Sequence, residues 1–252
     1  MKSSGALLLA AGLFCAGLAA FVGEPGQQTI KGDCKPVFGS DVCTWAETVG
    51  DRVTEVGITV PLTSIENAPA EAEMVWPPQA VARVAFPAEV KDQTGIDHLG
   101  VNWEAHGHPP GPYLTPHFDF HFNMETPSQI EAIDCSDLSE PATLPAGYEL
   151  PDVEIPDMGT LVGLCVPEMG MHAAMASELA ATNLFGASMI VGYYARKVIF
   201  AEPMIARKKL LERKNFSLDV PAVGSSWPSG FDARYDAGSD SYQFVFLFGR
   251  AD

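Results

Sequence analysis

The chain has 252 residues, 47% of them hydrophobic, and a formal net charge of −17 at pH 7. So acidic a surface repels nucleic acids and anionic membranes, and we expect neither as a partner. The charge favours cations in general, although solubility alone accounts for it. A chain of this length can bury a sizeable core as one domain.

Residues 1–20 are predicted to be a signal peptide. Lys2 supplies a short basic end, residues 6–22 are an apolar run, and small residues end it. The alternative is an uncleaved membrane anchor, but a run of about 17 residues is at the short edge for a spanning helix. We therefore expect an exported protein (periplasmic, in the cell envelope or extracellular) with no membrane span after cleavage.

Four cysteines follow the predicted signal: Cys34, Cys43, Cys135 and Cys165. An even number in an exported chain favours two disulfides, with three possible connectivities. A Cys34–Cys43 bond would close a small loop, and a Cys135–Cys165 bond would bracket a long one. A thiolate metal site is the alternative, but the spacings are not Cys-x-x-Cys and give it little support.

The rest of the chain predicts a β-rich domain. Residues 21–51 are predicted to be a lead-in pinned by the first disulfide, and residues 52–252 a single domain. Apolar alternation and turn residues predict strands at 52–65, 80–86, 97–103, 117–124 and 161–166. Residues 136–158 carry four prolines and six acidic residues, and predict a long acidic surface loop.

Two helices and two hairpins complete the prediction. Residues 173–184 are alanine-rich and residues 204–213 follow a proline, and both predict helices. Hairpins are predicted for 187–194 with 197–201 and for 230–234 with 242–248. The last strand is apolar on both faces and should be central. The sum is an α+β, β-rich fold, a single-domain antiparallel barrel or sandwich with one or two packed helices.

The histidines are concentrated in residues 104–124, which contain four of the six. His98 lies just upstream of this segment and His172 far downstream. Neutral imidazole is the commonest protein ligand for transition metals, so the segment predicts a metal site. The metal ligands that we predict are His106, His108, His117, His121 and His172.

Residues 117–124 alternate between phenylalanines and polar side chains, which predicts a strand with one core face and one polar face. His117 and His121 share the polar face but lie roughly 13 Å apart on a straight strand, near the limit for one ion. The strand could be bulged, Asp119 could be a ligand with one of them, or one histidine could ligate while the other lines a cavity. Prolines at 109, 110 and 112 make the preceding segment a loop that can fold back over the strand.

His108, His117 and His121 are the nearest thing to a ligand triad. Three nitrogens and an open position are typical of a catalytic zinc or iron site. Asp119 and Glu104 are the predicted catalytic acid–base residues, with Asp119 also a possible ligand and Glu202 a reserve carboxylate. Met169 and Met171 would suit copper, although methionine beside histidine is more often packing. The alternative is a buried hydrogen-bonded network without metal.

The run from Gly107 to Phe122, together with Val166–His172 and Gly192–Ile205, resembles the signature of a family of exported bacterial proteins with a domain of unknown function. The resemblance implies a β-rich fold and implicates His108, His117, Asp119, His121 and His172, without implying a reaction. The chain departs from the family at 123 and at 173–175, where Asn123 replaces a frequent tyrosine and no acidic residue follows the downstream histidine.

These observations predict an exported, histidine-centred metal-binding protein. As an enzyme it would be a metal-dependent hydrolase or hydratase that acts on a small molecule through a metal-activated water. The alternative is a non-catalytic metal-buffering or ligand-binding envelope protein. Zinc is the expected metal, with copper, iron or manganese as alternatives. The expected partners are a small-molecule substrate or the metal ion, and a homo-oligomer is possible.

Overall fold

The computed structural model describes residues 26–73, 75–155 and 158–249, so the predicted signal peptide lies outside the described residues. The chain is β-rich, with two large antiparallel sheets and short helices, which confirms the predicted fold class. The strands are β1 (Gln27–Val37), β2 (Ser40–Val49), β3 (Arg52–Pro61), β4 (Ala82–Ala85), β5 (His98–Glu104), β6 (His117–Asn123), β7 (Tyr148–Glu149), β8 (Val153–Ile155), β9 (Gly159–Leu161), β10 (Met171–Met175), β11 (Ala187–Tyr194), β12 (Lys197–Ala206), β13 (Phe216–Leu218), β14 (Gly230–Asp236) and β15 (Ser241–Leu247). The helices are α1 (Leu62–Glu66), α2 (Ala88–Thr94), α3 (Pro127–Glu131), α4 (Ala176–Leu179) and α5 (Arg207–Leu210), with 3-10 turns at Gly111–Tyr113 and Val162–Leu164.

The first sheet has six strands in the order β1-β2-β3-β15-β14-β13. The segment predicted as a lead-in supplies β1 and β2, which pair as a long hairpin. The last strand of the chain lies between β3 and β14, with residues on both of its faces buried. This confirms that its doubly apolar sequence places it in the middle of a sheet.

The second sheet has seven strands in the order β4-β5-β6-β12-β11-β10-β7. The histidine-bearing strand β6 is in the interior of this sheet, between β5 and β12. Both neighbours pair with it along most of its length. Side chains from three or more strands can therefore meet on its polar face.

The two sheets pack as a sandwich around the phenylalanines of β6. Phe120 lies 4.9 Å from Phe244 between ring centroids, and Phe122 lies 4.7 Å from Phe246. All four rings are fully buried, and each contributes about 1.5–3 kcal/mol by removing its surface from water. Because strand side chains alternate, this packing points the polar face of β6 away from the core and towards the loops that cover the second sheet.

Both helix predictions are wrong over most of their length. Residues 173–175 belong to β10, and only the short α4 follows; β12 continues to Ala206 before α5 begins. Ala173 and Ile205 are fully buried within the second sheet, so strand pairing and burial outweigh the weak preferences of these residues for a helix. Within the described residues, no helix is long and apolar enough to cross a membrane.

The acidic segment 136–158 is largely irregular but contributes to the sheets. β7 pairs with β10 at the edge of the second sheet, and β8 pairs with β9 in a separate two-stranded sheet. Val153 of β8 is buried. The segment is therefore partly a cover for the second sheet rather than a free surface loop.

Two disulfides, Cys34–Cys43 and Cys135–Cys165, are present. Their formation confirms the prediction of two bonds and selects one of its three connectivities. The first bond joins residues that already face each other in the β1–β2 hairpin. The second joins the segment after α3 to Cys165, the residue that follows the 3-10 turn before β10. Disulfide-bonded cysteines fit an exported protein.

Removing the Cys135–Cys165 bond is expected to lower the free energy of unfolding by about 3.5 kcal/mol, because the cross-link restricts a long loop in the unfolded chain. The sequence separation is 30 residues for this bond and 9 for Cys34–Cys43. Urea unfolding of the Cys135→Ser/Cys165→Ser protein, with Cys34→Ser/Cys43→Ser as the matched control, measures the difference. An equal or larger loss in the control would contradict this account.

Candidate metal centre

The polar face of β6 forms the floor of the candidate site. His117, Asp119 and His121 alternate with the core phenylalanines and are each 4% exposed or less. The alternation predicted from the sequence is therefore confirmed. Burying polar side chains is unfavourable unless each finds a partner, so the groups that surround them decide what this face can do.

Neighbouring strands add two carboxylates and another histidine to this face. Glu104 of β5 pairs directly with His117. The register of β12 against β6 places Glu202 opposite His121. His172 comes from β10, which lies beyond β11 in the same sheet. Residues that are distant in sequence therefore meet because their four strands lie within a run of five neighbouring strands, β5-β6-β12-β11-β10.

The Phe200 ring holds the two histidines on this side of the site in place. Its centroid is 4.9 Å from that of His121 and 5.2 Å from that of His172. The ring lies over Gly192 of β11, where an added Cβ would come within 2.1 Å of it. The glycine thus makes room for the ring, and the ring packs against both imidazoles.

Two groups of residues could each supply donor atoms to a metal ion, and we call them the two donor groups. The first consists of His108, His117 and Asp119, and one atom from each lies within 4.8 Å of the others. His117 Nε2 is 3.2 Å from Asp119 Oδ1. The rings of His108 and His117 are 4.8 Å apart between centroids. The loop after β5 therefore folds back over the strand, as its prolines predict.

A glycine is required at the start of this loop. Gly107 has φ +68°, and a Cβ there would lie 2.2 Å from the Tyr113 carbonyl oxygen. The next residue, His108, donates its backbone N–H to the same oxygen at 3.3 Å. Gly107 thus permits the tight turn that brings His108 to the site, because a side chain would collide with fixed backbone.

The second group comes from His121, His172 and Glu202, again with one donor atom from each lying within 4.8 Å of the others. Glu202 Oε2 is 3.6 Å from His121 Nε2 and 4.0 Å from His172 Nε2. All three residues are buried. Each group therefore consists of two imidazoles and one carboxylate.

Backbone carbonyls fix the orientation of three of the four imidazoles. The Nδ1 atoms donate as follows: His108 to Pro109 O at 2.8 Å, His117 to Thr115 O at 2.7 Å and His172 to Leu164 O at 3.0 Å. A carbonyl only accepts, so each Nδ1 carries a proton, and Nε2 presents a lone pair in the neutral ring. Metal-bound histidines characteristically have this arrangement.

Within the described residues, four atoms of the two donor groups are buried without a hydrogen bond, although those of His117 and Asp119 face each other at 3.2 Å. They are His117 Nε2, Asp119 Oδ1, His121 Nε2 and Glu202 Oε2. An unpartnered buried polar group costs about 1–3 kcal/mol, and more when it is charged. The four atoms lie on one face of the sheet, three on β6 and one on β12, and a bound cation would give each of them a partner.

The electrostatics of the site also favour metal binding. Burial lowers the pKa of His121 to about 3 and that of His172 to about 4. It lowers the pKa of His108 as well. Burial has the same effect on His117, but Asp119 beside it outweighs that effect and leaves the pKa raised. Three of the four imidazoles are therefore neutral at pH 7 and ready to ligate.

Three carboxyl groups lie close enough to repel one another. Burial and the charge of Asp119 raise the pKa of Glu104 to about 7. Burial, with Asp119 and Glu104, raises the pKa of Glu202 well above its ordinary value. Burial acts in the same direction on Asp119, but the histidines around it, His117 foremost, leave its pKa lowered. A cation would relieve this repulsion.

A cavity with about 80 Å³ of room for water-sized molecules lies above the donor atoms. One water needs roughly 10–15 Å³ on this measure, so several waters or a small ligand fit. Its polar lining consists of Glu104, His108, Tyr113, Asp119, His121, His172 and Glu202. Its remaining walls are apolar and come from Trp76, Pro78, Pro109, Ile155, Leu161, Leu164, Val166, Met169, Ala174, Ile190 and Met204.

The structure distributes the predicted residues differently from the predicted triad. His108 and His117 fall in one donor group and His121 in the other, and Asp119 is a donor rather than only a proton carrier. His172 joins the second group. Glu104 lines the cavity outside both groups, in a position that fits its predicted acid–base role.

Other predicted candidates lie elsewhere. His106 belongs to neither donor group; its side chain is 47% exposed and lies 3.5 Å from Glu71. His98 is buried beside Asp97, with Nδ1 and Oδ1 3.1 Å apart. Met169 lines the cavity, whereas Met171 packs in the core.

Glu202 was only a reserve candidate in the sequence, yet it completes the second group. The sequence does contain a feature that indicates its importance. Glu202 is the single charged residue in the otherwise apolar part of β12, where all its neighbours are buried. A lone carboxylate in a fully buried strand requires a partner. Its partners could not be named because the pairing of β12 with β6 is a long-range feature.

A family model described as "TTHB210-like: Hypothetical protein TTHB210" matches residues 49–103. The match includes β3, β4 and most of β5, and it ends one residue before Glu104. It therefore contains none of the residues of the two donor groups. No curated protein and no solved structure matches the chain.

Proposed function

We propose that this protein is an exported metal-binding protein that uses a transition metal to hydrolyse or hydrate a small molecule. One observation carries the proposal. Four buried donor atoms without hydrogen bonds lie together on one face of the sheet, and three of their residues (Asp119, His121 and Glu202) line a cavity that has room for a ligand. A hydrogen-bonded polar network, the alternative without metal, would leave fewer of these atoms without partners.

The donor set fits zinc best. Imidazole nitrogens with one carboxylate oxygen are common in catalytic zinc sites, and they also suit iron and manganese. Copper gains some support from Met169, a residue with a thioether that lines the cavity. The preset Nδ1–H tautomers present Nε2 lone pairs to any of these ions.

Glu104 is the residue that we assign to proton transfer. It lies at the edge of the donor groups, lines the cavity and has a pKa raised to about 7, near the value at which a general base works best at neutral pH. A bound ion would lower the pKa of a water towards neutrality. In hydrolysis of an ester, Glu104 would accept a proton from the attacking water as the water's oxygen bonds to the acyl carbon. It would then donate that proton to the oxygen of the leaving alcohol as the carbon–oxygen bond breaks.

The cavity indicates the substrate class. Its polar groups lie at the floor, and aliphatic side chains such as Leu161 and Ile190 form the walls. A molecule with a hydrolysable polar end and a small apolar body would bury both parts suitably. Because the cavity is small, polymers could reach the site only by their ends.

A non-catalytic metal-buffering or ligand-binding role in the cell envelope is the second candidate. The net charge of −17 favours cation uptake in general. In that role the protein would bind metal and catalyse nothing. The resemblance to exported proteins with a domain of unknown function is compatible with either role. We propose that the chain belongs to that family.

Zinc titration of the metal-free protein by calorimetry tests the proposal. The wild type is expected to bind zinc and to gain thermal stability. The His117→Ala/His121→Ala protein, which lacks one donor in each group, is expected to bind at least about tenfold more weakly, since losing a ligand's hydrogen-bonded support alone costs that much.

His106→Ala is the matched control for this titration. It removes an exposed imidazole from the same segment but outside both donor groups. Zinc affinity should be unchanged. Equal affinity in the wild type and the double variant, or no zinc binding by the wild type, would overturn the proposal.

A further inference from the structure

We propose that the cavity binds two metal ions, one in each donor group, and that they form a dinuclear centre. This inference rests on the proposed metal-binding function and specifies its stoichiometry. The first ion would be held by His108, His117 and Asp119 and the second by His121, His172 and Glu202. Glu104 would remain free to carry protons.

The distances between donor atoms within each group suit one ion. Donors of one zinc ion lie about 2.0–2.2 Å from it, so any two of them are at most about 4.4 Å apart. The six donor residues fall into two groups of three, and the donor atoms of each group lie within 4.8 Å of one another, close to that limit. Each group is therefore compact enough to hold an ion of its own.

The two groups are nevertheless adjacent. Asp119 of the first group and His121 of the second are two residues apart on one face of β6, or about 6.6 Å along the strand. Atoms of both groups line the same cavity. Asp119 lies between His117 and His121, so it is the carboxylate best placed to face both ions.

The two donor groups have the same composition, which supports one metal ion in each. Each has two imidazoles and one carboxylate, and each contains at least one imidazole whose Nδ1–H is fixed by a backbone carbonyl. Three protein ligands leave an open position on each ion, as in catalytic sites.

The charges also match two divalent ions. Glu104, Asp119 and Glu202 are three carboxyl groups that line one cavity together with His108, His121 and His172. A single divalent ion would leave one of the two donor carboxylates without a cation. Two ions would give each donor carboxylate one.

Two ions would narrow the range of reactions that the site could catalyse. Dinuclear centres hold both the attacking and the leaving oxygen of a displacement reaction. The substrate class would then be a small ester, amide or phosphoester with an apolar body, rather than a molecule that is only hydrated at one carbon. The apolar walls of the cavity would contact the part of the substrate that does not react.

Cobalt titration of the metal-free full chain tests the inference, because Co²⁺ takes zinc sites and is visible by absorbance and magnetic resonance. We expect two equivalents to bind to the wild type and to His106→Ala, with magnetic coupling between the ions. His108→Ala and His172→Ala should each bind one equivalent and lose the coupling. His108→Gln and His172→Gln, checked for folding by circular dichroism, replace any alanine variant that misfolds.

The outcomes separate the two proposals. One equivalent in the wild type, lost in only one of the two single variants, would overturn the dinuclear centre and leave a mononuclear metal protein. Two equivalents without coupling would overturn the shared centre in favour of independent sites. No binding of cobalt or zinc by the wild type would overturn both proposals.

Discussion

Phe120→Ala is expected to lower the free energy of unfolding by about 3–5 kcal/mol, the usual cost of removing a buried phenylalanine ring. Phe120 is fully buried between the two sheets, with Phe118 at 5.8 Å and Phe244 at 4.9 Å between ring centroids. The cavity left by the ring cannot close easily, because β-strands on both sides hold its walls apart. Urea unfolding by circular dichroism measures the loss.

Phe216→Ala is the matched control. Phe216 is half-buried in the edge strand β13 and stacks under the Lys209 ammonium group. We expect less than half the loss seen for Phe120. Asp119 and His121 flank Phe120, so the Phe120 variant should also bind zinc more weakly, whereas the control should not. A cost below that of Phe216→Ala would contradict the sandwich core described above.

Glu104→Gln is expected to slow hydrolysis by about 10²–10⁴-fold, the usual contribution of a positioned acid–base group. The amide keeps the shape of the side chain but cannot accept a proton. Glu104 lies outside both donor groups, so zinc content should be unchanged. Release of nitrophenolate from 4-nitrophenyl acetate by the zinc-loaded protein measures the rate, and elemental analysis of the same sample measures the metal.

Glu89→Gln provides the matched control, because Glu89 is an exposed carboxylate on α2. Its rate should equal that of the wild type. If Glu104→Gln also retains the full rate, Glu104 is not the proton carrier. If the zinc-loaded wild type is no faster than zinc alone in buffer, hydrolysis of activated esters is excluded and the metal-buffering role gains support.

Local patterns in the sequence predict the centre of this site well. The alternation of phenylalanines with His117, Asp119 and His121 requires only strand geometry, and the structure confirms both faces. The prolines after Gly107 predict a loop, and the loop brings His108 over the strand. The doubly apolar last strand is central, and the four cysteines after the predicted signal form two disulfides.

The grouping of the donors is not predictable from local patterns. His117 and His121 are too far apart for one ion on a straight strand, and three geometries could resolve this. The choice depends on Glu202 and His172, which reach the site only through the pairing of β12 with β6 and of β10 with β11. Strand pairing between distant segments leaves no periodic signal in either segment.

The helix predictions failed for a related reason. Segments 173–175 and 204–206 consist of residue types that suit a helix. Each segment nevertheless lies in a strand of the second sheet, where most of its side chains are buried. Helix preference amounts to a few tenths of a kcal/mol per residue, whereas burying one large side chain is worth several times more. Long-range packing therefore decided the structure of both segments.

Elemental analysis of the protein, purified without an affinity tag from the compartment in which it accumulates, tests the central claim most directly. The account predicts a stoichiometric transition metal, zinc foremost, that is retained in His106→Ala and lost in His117→Ala/His121→Ala. No metal in the wild type, together with unchanged thermal stability on adding zinc, copper, iron or manganese, would contradict it. The buried histidines would then form a polar network, and the cavity would be a site for a ligand without metal.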